Sequence, residues 1–240
     1  MNNLIDLHTH SVLSRHAYST VTENIEWAVS KGLKYYGISE HQYDDKGVGP
    51  HYYAFSNLRT IPHIYKGMHI LKGVEYNILI DGSLDADKIK LNRVDYGIAS
   101  IHSYVYEDQG IEINTQNYLK VLENERVNIL GHIDNGAVPC DFEKVIQRTK
   151  ELHKLIELNN SSLQPWSSRT NAHDNMLEII DLCIKYNQPV IINSDAHICY
   201  DVGNYELVDN LLNEKNFPNE LVLNYNESLI KEFFPNINYE

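Results

Sequence analysis

Seven short apolar runs recur along the chain, and the segments between them repeat their apolar residues with the period of a helix. Buried strands are predicted at residues 4–8, 33–39, 69–74, 96–101, 127–130, 155–158 and 190–193. Strands that alternate with helices are typical of βα units with a parallel sheet. Seven such units favour an α/β barrel over an open sheet, and residues 1–240 are expected to form a single domain.

The first segment between strands carries the signals of a complete helix. Thr20 and Glu23 form a capping-box pattern, and Gly32 suits the C-terminal end. Later helices are predicted around Tyr118 and Leu122, Phe142 and Ile146 after an Asp141 cap, Met176 and Cys183, and Leu207 and Leu211. Residues 42–68, rich in Tyr, Pro and Gly, predict a long loop with one short helix.

Histidines and carboxylates collect at the ends of six of the seven predicted strands. In a parallel barrel the C-terminal ends of the strands meet on one face, where active sites are built. His8 and His10 are two residues apart, so an extended strand points both side chains the same way. With His16 nearby, the chain offers nine candidate metal ligands: His8, His10, His16, His41, Glu75, His102, His132, Asp195 and His197.

These residue types indicate a hydrolytic metal site. Imidazole nitrogen and carboxylate oxygen without thiolate suit zinc, manganese or iron, and a carboxylate such as Glu75 can bridge two ions. Nine ligands are too many for one ion, so two or three are expected. Asp6 and Glu40 are expected to orient imidazoles. The remaining histidines lack the strand-end placement and are not expected to be ligands; they are His51, His63, His69, His153 and His173. His51, in the long loop, is left open.

The composition limits the partners. A net charge of -13, from 20 basic and 33 acidic residues, argues against a nucleic-acid or anionic-membrane binder. No stretch approaches the roughly 20 apolar residues that cross a bilayer, and the first residues lack the pattern of a secretory signal, so a cytoplasmic location is expected. The three cysteines, Cys140, Cys183 and Cys199, predict no disulfide framework. A homo-oligomer is compatible with this composition.

Taken in order, these motifs resemble the PHP (polymerase and histidinol phosphatase) family, and within it the stand-alone YcdX-like phosphatases. The resemblance covers nearly the whole chain. It rests on His8-Thr9-His10, His16-Ala17-Tyr18-Ser19-Thr20, Glu40-His41, Gly73-Val74-Glu75, His102, Gly131-His132, Asn159-Asn160-Ser161-Ser162 and Ser194-Asp195-Ala196-His197.

The resemblance implies a distorted seven-stranded (β/α) TIM-like barrel with three divalent transition-metal ions, zinc first and manganese or iron as alternatives. By similarity the first ion is held by His8, His10, Glu75 and Asp195, the second by Glu75, His102 and His132, and the third by His16, His41 and His197. The chain departs from the family at Gln42, at residues 133–136 after His132, and at residues 170–172 after Arg169. Those departures bear on the substrate more than on the metal.

The expected reaction is hydrolysis of a small phosphorylated metabolite. Bound cations neutralise phosphate oxygens and lower the pKa of water from about 15.7 towards 7, and a hydroxide bridging the first two ions would attack phosphorus. Glu75 and Asp195 would position that hydroxide, while the general acid is unassigned. Arg59 and Arg169 are candidates to bind the phosphate. Two other hypotheses stay open: an amidohydrolase-type hydrolase, and a non-catalytic metal-binding or regulatory module.

Overall fold

Seven parallel strands form a sheet that curls towards a barrel. The computed structural model describes residues 3–42, 52–86 and 94–237. The strands lie in the order β1-β2-β4-β5-β6-β7-β8, and the short strand β3 pairs antiparallel with β4. Their bounds are β1 Ile5–Asp6, β2 Tyr35–Ile38, β3 Ile64–Tyr65, β4 Met68–Asn77, β5 Tyr96–Ser100, β6 Ile129–Leu130, β7 Leu155–Asn159 and β8 Val190–Asn193. Each predicted run overlaps one parallel strand, so the predicted fold class is confirmed.

Helices follow most of the strands. Thr20 and Glu23 make both bonds of the predicted capping box at the start of α1, and the Asp141 side chain caps α4. No helix in the described part of the chain is long and apolar enough to cross a membrane. The helices are α1 Val21–Ser30, α2 Tyr52–Ser56, α3 Ile111–Leu122, α4 Phe142–Glu151, α5 Ala172–Tyr186, α6 Glu206–Glu214 and α7 Glu227–Phe233.

The predicted loop at 42–68 contains more regular structure than expected. The short helix is present as α2, followed by a 3₁₀ turn at Leu58–Thr60 and by β3, which the sequence pattern did not predict. Residues 43–51 lie outside the described residues, and with them His51, the histidine left open by the sequence. Arg59 lies on the 3₁₀ turn with its side chain exposed.

Strand β4 is the longest and carries the stagger of the sheet. Its first half pairs with β2, where Tyr35 is opposite His69, and its second half pairs with β5, where Gly73 is opposite Tyr96. A stagger between neighbouring strands tilts them, and tilted strands are what a closed barrel requires. The shift along β4 therefore contributes to the distorted barrel shape.

One tyrosine fills much of the barrel interior below the strand ends. Tyr96 is buried, and its hydroxyl donates to the carbonyl oxygen of Leu7 at 2.5 Å. A Cβ atom at Gly73 would lie 2.1 Å from the Tyr96 ring, and one at Gly37 would lie 2.2 Å from its hydroxyl oxygen. Glycine is required at both positions because the ring occupies the space that a side chain would take.

Polar side chains close the barrel between β1 and β8. The backbone N–H of Leu7 donates to Asn193 Oδ1 at 2.9 Å, and the Ser194 hydroxyl donates to Asp6 Oδ2 at 2.6 Å. Among the described residues, the one β-bridge between the two edges joins Thr9 to Ala196. Side-chain hydrogen bonds therefore replace most of a regular strand ladder at this seam.

Asn224 closes the other end of the same seam. Its Nδ2 donates to the carbonyl oxygens of Ile5 and Ile192, each at 2.8 Å, and its Oδ1 accepts from the backbone N–H of Ile192 at 2.8 Å. The side chain is fully buried. Asn224 thus satisfies backbone groups of β1 and β8 that have no strand partner there.

We expect Asn224→Ala to destabilise the fold. Three buried hydrogen bonds are lost and two backbone groups of Ile192 are left unsatisfied, at about 1–3 kcal/mol for each such group, while the carbonyl oxygen of Ile5 keeps the bond from the Tyr205 hydroxyl. The free energy of unfolding, measured by urea denaturation, should fall by about 2 kcal/mol or more. Asn219→Ala, at an exposed asparagine close by in the chain, serves as the control and should change little. Equal stability of the two variants would contradict the role assigned to Asn224.

Candidate metal centre

Eight of the nine predicted ligands lie at the C-terminal ends of the strands. His8 and His10 follow β1, His41 follows β2, and Glu75 is near the end of β4. His102 follows β5, His132 follows β6, and Asp195 and His197 follow β8, while His16 follows the 3₁₀ turn Val12–Ser14. Six are almost fully buried: His8, His10, His41, Glu75, His132 and Asp195. The strand ends therefore bring together the residues that the sequence pattern selected.

Glu75 lies at the centre of the cluster. Its Oε1 is 3.3 Å from Nε2 of His8, 3.3 Å from Nε2 of His102 and 3.2 Å from Nε2 of His132. Its Oε2 is 2.8 Å from Nδ1 of His41. One carboxylate thus faces imidazoles from four different strands, as a bridging ligand must.

Asp195 approaches the cluster from β8. Its Oδ1 lies 3.5 Å from Nε2 of His8 and 3.3 Å from Nε2 of His10. Its φ angle is 53°, in the left-handed region that non-glycine residues seldom adopt. Such backbone strain persists where the surrounding structure imposes it, and it clusters at functional sites.

A second group of imidazoles lies beside Glu75 and Asp195. Nε2 of His16 is 3.2 Å from Nε2 of His41, and the ring centres of His16 and His197 are 4.8 Å apart. His10 stacks on His41 with ring centres 4.3 Å apart. The three histidines implied for a third ion, His16, His41 and His197, are therefore neighbours.

Several ligand atoms have no hydrogen-bond partner although they are buried. They are Nε2 of His8, Nε2 of His10, Nδ1 of His41 and Oε2 of Glu75. Nδ1 of His41 and Oε2 of Glu75 are 2.8 Å apart, but their geometry is not that of a hydrogen bond. Buried polar atoms without partners are costly, so lone pairs that face a common point fit a cation.

The spacing of these atoms also suits metal coordination. Ligand atoms about 2.1 Å from a tetrahedral ion lie about 3.4 Å from one another. The separations from the carboxylates to Nε2 of His8, His10, His102 and His132 are 3.2–3.5 Å. Ligand atoms within 4.8 Å of one another occur in three overlapping triads: His8, His10 and Glu75; His41, Glu75 and His102; and His10, His41 and His197.

The carboxylates of the cluster are held ionised. Burial by itself raises the pKa of Glu75, but the imidazoles of His8 and His102 outweigh it and hold the pKa well below its usual range. Burial also raises the pKa of Asp195, and His8 together with Arg169 holds that pKa well below its usual range. Both side chains are therefore available as anionic ligands.

Two buried imidazoles are held neutral. Burial, followed by the neighbouring His41 and His197, places the pKa of His10 well below the ordinary value. Burial, followed by the charge of Arg169, lowers the pKa of His132 to about 4. A neutral imidazole carries the lone pair that a metal ion needs.

The sequence pattern did not select the carboxylate beneath the cluster, Glu157. Its Oε1 lies 2.7 Å from Nδ1 of His8. Burial lowers the pKa of His8, but Glu157 and Glu75 outweigh it and raise the pKa well above the ordinary value, so the site favours positive charge at this position. The signal that marks Glu157 in the sequence is a single charged residue inside the apolar run at 155–158.

The sequence predicts that Glu40 and Asp6 orient imidazoles, and the structure supports this for Glu40 alone. Glu40 accepts hydrogen bonds from the hydroxyls of Ser11 and Ser14, and Ser14 Oγ lies 3.3 Å from Nδ1 of His10. Asp6 instead accepts from Ser194 and from the backbone N–H of Gly203. The prediction that Asp6 orients an imidazole is wrong, because its carboxylate turns into the seam of the barrel.

The four described histidines that were not expected to be ligands lie away from the cluster. His63 contacts Lys72, His69 stacks on Tyr35, His153 stacks on Phe233 and faces Glu232, and His173 lies beside Asp174. The cysteines are free, and the triads found among the described residues contain none of them.

A cavity of about 520 Å³ opens above the cluster. Arg169 lines it and is held from below, because its Nη2 donates to Asp195 Oδ2 at 2.7 Å and its Nη1 donates to Asn159 Oδ1 at 3.1 Å. Arg15 and Tyr104, which the sequence pattern did not select, line the cavity as well. Arg59 is not among the residues around it, so the structure brings one of the two predicted arginines to the site.

A parallel barrel with a cluster of imidazoles and carboxylates at its C-terminal face is typical of metal-dependent enzymes. Within that class, the sequence matches the PHP domain over residues 6–164. A probable phosphatase of Clostridium botulinum (strain Okra / Type B1) is 37% identical over 237 residues, which are 98% of this chain and 96% of the relative. One of Clostridium acetobutylicum is 39% identical over 234 residues, 97% and 95% of the two chains. The chain belongs to the PHP family and is a hydrolase of its phosphatase group.

Solved structures share the fold at lower identity. The histidinol phosphate phosphatase of Lactococcus lactis, complexed with zinc, L-histidinol and phosphate, has a TM-score of 0.63 at 16% identity, covering 90% of this chain and 95% of its own. A chain in the cryo-EM structure of archaeal ribonuclease P with mature tRNA has a TM-score of 0.58 at 20% identity, covering 97% and 89%. The same barrel thus occurs in different assemblies, and the site must decide the reaction.

Proposed function

We propose that this protein hydrolyses small phosphomonoesters at a centre of three metal ions. The observation that carries this proposal is that two buried, unpartnered ligand atoms, Nε2 of His8 and Nε2 of His10, each lie 3.3–3.5 Å from the carboxylates of Glu75 and Asp195. The first ion would be held by His8, His10, Glu75 and Asp195, the second by Glu75, His102 and His132, and the third by His16, His41 and His197. Other triads of these ligand atoms also lie close together, so the assignment of ligands to each ion is itself proposed.

Zinc is the first ion to test, with manganese and iron as alternatives. Imidazole and carboxylate donors suit all three, and the Lactococcus phosphatase of the same fold was solved with zinc. When bound, such ions neutralise phosphate oxygens and provide an activated water. Glu75 would keep the first two ions at a fixed separation, and Asp195 would hold both an ion and Arg169.

The cavity supports a small substrate. A volume of about 520 Å³ is within the usual range for sites that bind small molecules. Arg169 would meet the phosphate there as a fork of N–H donors, since Asp195, Asn159 and Ser162 fix its guanidinium. The contribution predicted for Arg59 lacks such support.

The central prediction concerns metal content and turnover. The purified protein should hold two to three zinc ions per chain by mass spectrometry of the metals, and it should hydrolyse an aryl phosphate such as p-nitrophenyl phosphate. His8→Ala and Glu75→Ala should lose turnover and bound metal, because each removes a ligand of the cluster. His153→Ala is the matched control, since that exposed histidine lies outside the cluster, and it should retain both.

Other outcomes would favour the remaining hypotheses. Metal bound in full with no turnover on a broad phosphomonoester panel would leave the non-catalytic module ahead. Turnover of amides or lactones alone would favour the amidohydrolase. Absence of bound metal in the active protein would overturn the metal centre itself.

The two arginines give a second prediction. Arg169→Lys should raise KM for a phosphomonoester by about tenfold or more, because a lysine cannot reproduce the planar fork and charged hydrogen bonds contribute about 1.5–3 kcal/mol. Inorganic phosphate should also inhibit the variant less. Arg59→Lys should leave both constants unchanged, and zinc content should match the wild type in each variant. A larger KM change for Arg59→Lys than for Arg169→Lys would reverse the assignment.

A further inference from the structure

Glu157 lies inside the barrel with all of its hydrogen-bonding capacity used. The residue belongs to β7, and its carboxylate is fully buried. Oε1 lies 2.7 Å from Nδ1 of His8 and accepts from Nδ2 of Asn193 at 2.8 Å. Oε2 accepts from the backbone N–H of His132 at 2.8 Å and from Nδ2 of Asn159 at 3.0 Å. Four groups from four different strands or strand ends therefore meet on one carboxylate.

The contact with His8 decides which ring nitrogen faces the cluster. An ionised carboxylate can only accept hydrogen bonds, so the proton of the pair lies on Nδ1 of His8. In the neutral imidazole that a metal ligand requires, Nε2 is then the atom with a lone pair, and it lies 3.3 Å from Oε1 of Glu75. Carboxylates that accept from a ligating histidine in this way fix both the tautomer and the ring orientation.

The contact with His132 supports an unusual backbone. His132 has a φ angle of 29°, outside the regions that non-glycine residues normally occupy. The hydrogen bond from its N–H to Glu157 stabilises this conformation, which directs the imidazole to Glu75, where Nε2 is 3.2 Å from Oε1. Removal of that acceptor leaves a buried N–H without a partner and frees the backbone to relax.

We infer that Glu157 is a positioning residue that orients His8 and His132 together, so that the first two metal subsites form as a unit. This inference rests on the proposed function and on its assignment of His8 to the first ion and His132 to the second. Glu157 touches neither ion site directly. It acts through one ring nitrogen and one backbone amide.

The third subsite is built without Glu157. Nδ1 of His16 lies 2.7 Å from the carbonyl oxygen of Ser14, and Nδ1 of His197 lies 3.0 Å from that of Asp195. Backbone carbonyls therefore orient two of its three imidazoles. A change at Glu157 should leave zinc binding there close to that of the wild type.

The test compares zinc affinities in Glu157→Gln and the wild type by titration of the metal-free proteins against a chromophoric chelator. A glutamine places an N–H₂ group against donors, so at least one of the contacts to His8 and His132 is lost. Loss of such an orienting partner weakens metal binding by about 10- to 100-fold. We expect that loss at two of three sites, with the third retained.

Asn224→Ala is the control for a merely structural effect. It is expected to destabilise the barrel at the end of the β1–β8 seam that lies away from the ligands, where its amide contacts Ile5 and Ile192, and it should keep all three affinities. Glu157→Asp is the second variant: it preserves the charge but is shorter by one methylene, and it should weaken the same two sites by a smaller factor. It also carries the test if Glu157→Gln does not fold.

The outcomes separate this inference from the proposed function. Three unchanged affinities in a folded Glu157 variant would overturn the positioning role alone. Equal weakening of all three sites would also overturn it and leave Glu157 with a general structural role. A wild-type protein that binds no zinc, manganese or iron would overturn the proposed function, and this inference with it.

Discussion

Strands β1 and β8 meet at a seam where Asn193, Asn224 and Asp6 replace most of the backbone hydrogen bonds of a regular ladder. The candidate site depends on the ligand end of this seam, where Asn193 and Asp6 form their bonds, because His8 and His10 follow one edge and Asp195 and His197 follow the other. Nε2 of His8 and Oδ1 of Asp195 are 3.5 Å apart across it. Buried side-chain hydrogen bonds at the seam keep this distance short. If the sheet were open between β1 and β8, the two halves of the cluster would be separated.

The same cluster is costly for the fold unless a cation is present. Ligand atoms of His8, His10, His41 and Glu75 are buried without hydrogen-bond partners, and each unsatisfied buried group costs about 1–3 kcal/mol. Metal binding removes that cost, so binding and stability are linked. Hydrogen bonds from surrounding side chains hold the cluster in place. Glu157 contacts Nδ1 of His8, Asn77 contacts Nδ1 of His102, and Glu40 accepts from the Ser11 hydroxyl. A site arranged in this way is preorganised before substrate arrives.

Membership in the PHP family fixes the chemistry more firmly than the substrate. The departures from the family pattern lie outside the ligand set, at Gln42, at residues 133–136 and at residues 170–172. Gln42 donates to the carbonyl oxygen of Asp85, and burial of Asp134 raises the pKa of its carboxyl to about 6 against the opposing charge of Arg169. Arg15 and Tyr104 add a cation and an aromatic ring to the cavity wall. We expect the side chains of the cavity wall, more than the ligand set, to decide which substrate is preferred.

The strands, the capped helices and the strand-end position of eight of the nine candidate ligands were predictable from the sequence because they depend on local periodicity and on the rule that parallel strands end on one face. Glu157, Asn224 and the choice of Arg169 over Arg59 depend on pairs far apart in the chain, such as His8 with Glu157. A local pattern cannot show which residue such a side chain meets. The sequence by itself determined the barrel and its candidate ligands. Only the tertiary structure decided how they are oriented, since orientation is set by long-range hydrogen bonds.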